Sequence, residues 1–129
     1  MHKKKFNSQS LCFVADAFAR TEHYDKELFS AIEKKAIPFL DTFRPQDMNL
    51  LIDAFANSEH DCKDLFDAAS KTIVKKAKYF NTESLCLFAG SFAMRGYKNP
   101  KVLDAIAEKE IPFLHTLDAK PLWLLHYGD

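Results

Sequence analysis

The segment LCFVADAFA at Leu11–Ala19 returns as MNLLIDAFA at Met48–Ala56 and again as LCLFAGSFA at Leu85–Ala93, each time 37 residues further along the chain. Working outward, residues 7–43, 44–80 and 81–117 align without a gap. Residues 118–129 open a fourth copy, with Leu122 at the place of Leu11, Met48 and Leu85. Later parts agree as well: KAIPFL at Lys35–Leu40 is matched by EIPFL at Glu110–Leu114. A fixed period of this length marks a repeat array in which each copy is one supersecondary unit.

Each copy carries two helical patterns, A and B. In the first A helix Leu11, Val14, Ala15 and Phe18 fall at the spacing that lines one helical face. Asn7, Asn81 and Asp118 are acceptors suited to the N-cap, and Pro45 stands where the first residue of the second A helix would lie, needing no N–H partner there. Asp25 and Asn99, the latter followed by Pro100, mark B-helix starts. The polar turns 21–24, 58–61 and 95–98 between A and B are short, so the two helices should be antiparallel neighbours. Pro38 and Pro112 should kink or stop their B helices, whereas copy two has Lys75 there and should run straighter and longer.

One hairpin cannot bury both faces of its A helix, so the copies must stack on one another. The expected fold is all-α, a right-handed α-solenoid of about three and a half hairpins forming one domain over residues 1–129. Its ends look open. Phe6 holds the place of Phe43, Phe80 and Leu117, so the chain starts on the last turn of a B helix and stops inside an A helix. Leu122, Trp123 and Leu125 form an apolar end that either packs back on copy three or meets a partner subunit.

Composition narrows the function. Eighteen basic residues balance eighteen acidic ones, so no net positive field draws the chain to nucleic acid or to an anionic membrane. No stretch is apolar for long enough to span a bilayer. Three cysteines, an odd number without metal-ligand spacing, fit a reducing compartment, and no metal or cofactor is expected. Cys12 and Cys86 stand two repeats apart, on the order of 20 Å, too far to join. No Gly-rich phosphate loop, Ser-His-Asp set or HExxH motif occurs, so catalysis is not expected. His23 and His60, with Tyr97 at the same position of copy three, read as stacked turn residues.

Comparing the copies separates scaffold positions from free ones. Those of Val14, Ala15, Ala17, Phe18 and Ala19 stay apolar or small, with Ser91 the only hydroxyl. One stripe differs chemically from copy to copy: Gln9, Cys12, Asp16 and Arg20; then Gln46, Asn49, Asp53 and Asn57; then Glu83, Cys86, Gly90 and Met94; then Lys120, Trp123 and Tyr127. Stacked copies would turn the stripes into a groove whose amides can bond base edges, with Arg20 or Trp123 stacking on a base. The solvated side of an amphipathic helix would look the same, and Asp16 and Asp53 would repel phosphate. Cations gather in the last turns of the B helices, at Lys34, Lys35, Lys71, Lys75, Lys76, Lys78 and Lys109, with Lys3, Lys4 and Lys5 at the matching place before copy one. They complement the helix dipole there, or form a phosphate-contacting ridge.

The hairpin with PQDMNLLIDAFA at Pro45–Ala56 and KDLFDA at Lys63–Ala68 resembles the heptatricopeptide repeat, a relative of the octotricopeptide repeat and of the helical region of FAST kinase-like proteins. The resemblance implies a non-catalytic helical scaffold that binds single-stranded or ribosomal RNA in mitochondria or plastids, a mitochondrial ribosome subunit being one such. Many members of these families end in a RAP domain, which is not seen in this sequence. A second reading of the same features is a protein–protein adaptor whose open repeat ends grip neighbouring subunits without touching RNA.

Overall fold

Two of the three A helices begin where a short acceptor can take up the free N–H groups of the first turn, an arrangement worth about 1 kcal/mol per cap. The computed structural model of the chain describes residues 7–116. Asn7 Oδ1 accepts the N–H of Gln9 at 2.8 Å and of Ser10 at 3.2 Å, opening α1 (Ser8–Arg20). Asn81 Oδ1 accepts from Ser84 N at 2.8 Å at the start of α5 (Thr82–Met94), while α3 (Pro45–Ala56) begins on its proline. The B helices are α2 (Lys26–Ala36), α4 (Lys63–Lys76) and α6 (Pro100–Thr116). Asp25 caps the first by accepting from Leu28 N at 3.0 Å, Asp61 accepts from Lys63 N at 3.0 Å, and Asn99 accepts from Lys101 N at 3.1 Å.

Proline decides how the B helices end. Pro38 lies in a 3-10 turn, Ile37–Thr42, that takes over after the 11 residues of α2. With Lys75 in place of proline, α4 runs 14 residues before a shorter 3-10 turn at Ala77–Tyr79. Of the two outcomes expected at Pro112, a kink or a stop, the stop does not occur: Pro112 lies inside α6, which continues to Thr116. A proline deletes one N–H of the ladder, and one missing bond need not end a helix that is held on both sides of it.

The A helices lie side by side, α1 against α3 and α3 against α5. The B helices form a second layer, in which the 3-10 turn after α2 packs on α4, and α4 on α6. No strand occurs among the described residues. Between the layers Phe29, Leu51, Ile52, Phe55, Leu65, Phe66, Leu85 and Phe88 are fully buried, each stabilising the fold by roughly 1.5–3 kcal/mol. The ring pairs Phe29–Phe55 and Phe66–Phe92 both have centroids 4.9 Å apart, and each joins a B helix to the A helix of the following copy. These are one contact made twice, a repeat apart.

The expected buried face of the first A helix is only partly buried. Ala15 is wholly inside, but Val14 is 40% exposed, whereas Leu51 and Phe88 at the same position are 0% exposed. The latter two lie under the preceding hairpin, and Val14 has no hairpin before it among the described residues. The calculation of a helical face from spacing gives its direction and not its cover.

The turns of copies one and three share a step that copy two, with Glu59 there, does not take. Glu22 (φ 57°) and Gly96 (φ 67°) occupy the same left-handed step after α1 and α5, which glycine takes without strain and glutamate does not. His60 is buried against Tyr24, Phe29 and Phe55, and Tyr97 stacks on Phe66 and Phe92. Both also bond to the B helix of the preceding copy at one equivalent position: His60 Nε2 lies 2.9 Å from Glu33 Oε1, and Tyr97 Oη lies 3.2 Å from Ser70 Oγ. The stacked-turn expectation therefore describes His60 and Tyr97, whereas His23, which it also named, is exposed and meets Phe18 edge-on with ring centroids 5.5 Å apart.

Candidate nucleic-acid interface

The variable stripe divides when it is followed along the A helices. On α1, Gln9 is exposed and Arg20 is bound to Asp16, with Nη2–Oδ2 at 2.9 Å. Cys12 is not on an open surface at all. It is fully buried between α1 and α3, and its Sγ donates to the carbonyl of Asp47 at 3.1 Å. A thiol is small enough to be enclosed where two helices meet, so placing Cys12 on the open stripe with Gln9 and Arg20 is corrected here. Burial, and after it the neighbouring Asp47 carboxylate, pushes this thiol up to about 12.

On α3 and α5 the same positions behave differently. Asn49, larger than Cys12, is half-buried, and the two helices part around it. The result is a groove of about 640 Å³ that brings Gln46, Asn49 and Asp53 of α3 together with Glu83, Ser84 and Ser91 of α5. Leu50, Leu87 and Tyr79 supply its apolar surface. Asn57 stays at the end of α3, where its Nδ2 donates to the Asp53 carbonyl at 2.8 Å, and half-buried Cys86 does not line the groove. Four of the stripe residues are thus assembled into one site, and the α1 set lies apart from it. Periodicity missed Ser84 and Leu87, which lie beside the stripe, and Tyr79, which lies in the 3-10 turn and is 74% exposed, outside any helical face that spacing could trace.

Three lysines of the ridge, Lys75, Lys76 and Lys109, hold the copies together. Lys75 Nζ meets Asp41 Oδ2 at 2.6 Å, Lys76 Nζ bonds the Asp41 carbonyl, and Thr72 Oγ1 donates to Asp41 Oδ1 at 2.7 Å. Hydrogen bonds from Lys75 and Thr72 hold the Asp41 carboxyl below the usual carboxylate range. One repeat on, Lys109 Nζ donates to the carbonyls of Lys78 (3.1 Å) and Phe80 (2.8 Å). Lys78 itself is exposed, with its Nζ 5.6 Å from the Tyr79 ring centroid. It faces a second groove, of about 550 Å³, between α4 and α6, where Lys75, Lys78, Lys101 and Lys109 outnumber Asp104 and Glu108. The cationic groove and the polar groove therefore meet at the dipeptide Lys78-Tyr79.

Among the described residues no group of three or more His, Cys, Asp and Glu could hold a metal, and no helix is long and apolar enough to cross a membrane. The apolar end at Leu122, Trp123 and Leu125, the stripe members Lys120 and Tyr127, the cap at Asp118 and the cations Lys3, Lys4 and Lys5 lie outside the described residues.

The model of the RNA-editing substrate-binding complex 6 protein family matches residues 2–124. The chain belongs to that family. Membership in the RNA-editing substrate-binding complex 6 family makes it an RNA-related protein of an editing complex, and it replaces the heptatricopeptide and octotricopeptide affiliation that the hairpins resemble. No curated protein matches the chain.

Proposed function

We propose that this chain is a non-catalytic RNA-binding scaffold of an editing complex, a right-handed α-solenoid whose A helices face single-stranded RNA. The observation that carries the reading is the groove between α3 and α5. It gathers amides, hydroxyls and carboxylates beside exposed apolar surface, the mixture that unstacked bases require. The adjoining lysine-rich groove supplies cations for the phosphates. Among the organellar ribonucleoproteins implied by the sequence, a ribosome subunit included, membership in an editing-complex family favours an editing complex. Its place of work would be the mitochondrion, and its partners RNA and neighbouring protein subunits.

Salt-dependent binding of single-stranded RNA to the full chain tests the reading. Lys75 and Lys76 are poor residues to change, because reversing them also breaks the ties to Asp41. Lys78→Glu with Lys101→Glu should weaken binding roughly tenfold at low salt. No binding at low salt, or binding indifferent to these changes, sinks the proposal.

A second reading, the protein adaptor, is favoured by one observation. On α1 Val14 and Ala17 are exposed and Phe18 is only half-buried, although Leu51, Ala54 and Phe55 at the same positions are buried under a hairpin. Substituting Val14 and Phe18 with serine would abolish capture of a neighbouring subunit and leave RNA binding unchanged.

A further inference from the structure

Two serines in the groove between α3 and α5 have hydroxyls that bond no other group of the described residues. Ser84 and Ser91 are 8% and 7% exposed, both line the groove, and neither hydroxyl has a hydrogen-bond partner among the described residues. Both hydroxyls reach the open groove and bond no protein group among the described residues, so each is free to donate to or accept from a ligand that enters it. The Asn49 amide beside them is also unpartnered among the described residues.

The preceding copy shows that this opening is particular to one place. Where α1 meets α3, Cys12 stands at the position of Asn49 and closes the gap through Asp47. Asp47, at the position of Ser84, is satisfied by Arg44, whose Nε lies at 2.8 Å and Nη2 at 3.0 Å. Asn81 replaces that arginine in copy three, and its Oδ1 is used on the Ser84 N–H.

The lining also limits the ligand. Its formal charges are Asp53 and Glu83, with no cation, so a phosphate group is repelled. Both carboxylates accept hydrogen bonds, and Leu87 and Tyr79, each at least half exposed, offer flat apolar contact. A volume of about 640 Å³ lies in the usual range for small-ligand sites.

We propose that the groove takes one unpaired RNA base that carries an exocyclic amino group, adenine, cytosine or guanine, and discriminates against uracil. The proposal rests on the RNA-binding reading above and adds its specificity. An amino group donates to Asp53 or Glu83, as carboxylates accept from the amino group of cytosine in duplex recognition. Uracil presents two carbonyl oxygens around a single N–H and sets their lone pairs against the same carboxylates. The base lies against Leu87 and Tyr79, and its backbone crosses the rim at Tyr79 to reach Lys78 in the neighbouring groove.

Fluorescence anisotropy of the full chain with labelled oligo(A), oligo(C) and oligo(U) of equal length at low salt tests this. Oligo(A) and oligo(C) should bind about tenfold more tightly than oligo(U). Asp53→Asn with Glu83→Gln should erase that preference. Ser91→Ala restores the residue that copy two carries at Ala54 and is therefore compatible with the hairpin; with Ser84→Ala it should weaken oligo(A) and oligo(C) while sparing oligo(U). Circular dichroism verifies that each variant is folded. Equal binding of the three oligonucleotides, or a preference that survives both double substitutions, overturns the base pocket and leaves the RNA-binding reading standing. Failure of all three to bind overturns both.

Discussion

The Sγ of Cys12 donates to the backbone carbonyl of Asp47, and that one contact separates two helix junctions that the repeat would make alike. Where the thiol sits, α1 and α3 close; where Asn49 replaces it, α3 and α5 leave a groove. The enclosed thiol is also chemically silenced. Cys12 is pushed up to about 12 and Cys62, mainly by burial, up to about 11, while half-buried Cys86 is raised by burial too. Raising a thiol's pKa lowers its thiolate fraction. Alkylation of the folded chain at about pH 8 should therefore mark Cys86 first, with Cys12 and Cys62 reacting only on unfolding. Mass spectrometry of the labelled peptides reads the order, and early labelling of Cys12 would show that the α1–α3 junction is open.

Val14 and Leu51 are equivalent in sequence and opposite in exposure, at 40% and 0%. Leu51→Ala should destabilise the chain by about 2–5 kcal/mol, whereas Val14→Ser should change it by less than about 0.5 kcal/mol. Urea denaturation of the two variants supplies the comparison.

Arg95 closes the end of α5 onto the end of α3. Its Nη1 donates to the carbonyls of Phe55 (3.0 Å) and Ser58 (3.1 Å), and its Nη2 donates to that of His60 (2.8 Å). Arg95→Ala removes the charged donor from all three carbonyls, although Phe55 keeps Ser58 Oγ at 2.8 Å and His60 keeps the Cys62 thiol at 3.3 Å, and should cost about 2 kcal/mol. Lysine, a point charge without the planar fork, should restore only part of the loss. Thermal denaturation ranks the three proteins.

Acid should release the Asp41 tie. The carboxyl is held below its ordinary 3.8, first by the hydrogen bond from Lys75 and then by that from Thr72. A carboxylate lowered in the folded state stabilises it above the ordinary value, and the contribution disappears as pH falls through the lowered one. Asp41→Asn should thus be less stable than the parent at about pH 7, and the difference should shrink below about pH 3. A gap that stays constant between the two conditions would mean that Asp41 stabilises the chain without its charge.

Much of this molecule was legible before any coordinates. The period, the caps at Asn7, Asp25, Asn81 and Asn99, and the early end of α2 near Pro38 all follow from local chemistry, which the chain carries residue by residue. Cys12 and Asn49 were indistinguishable, because burial at that position depends on how closely the next helix approaches. Lys75 and Lys76 looked like free cations, since their partner Asp41 lies in another copy and spacing within one helix cannot reveal it. Ser91 reads as a tolerated small residue and Ser84 carries no signal in the pattern; only their place in the groove gives them significance.

The ties between copies share a property that bears on how the chain is made. His60 reaches Glu33, Lys75 reaches Asp41, Tyr97 reaches Ser70 and Lys109 reaches Phe80, so every one of them spans about one repeat and none spans two. A hairpin leaving the ribosome finds its whole binding surface in the hairpin synthesised just before it. Assembly can therefore advance from the N-terminal end at the pace of translation, without closing long loops and without waiting for distant sequence.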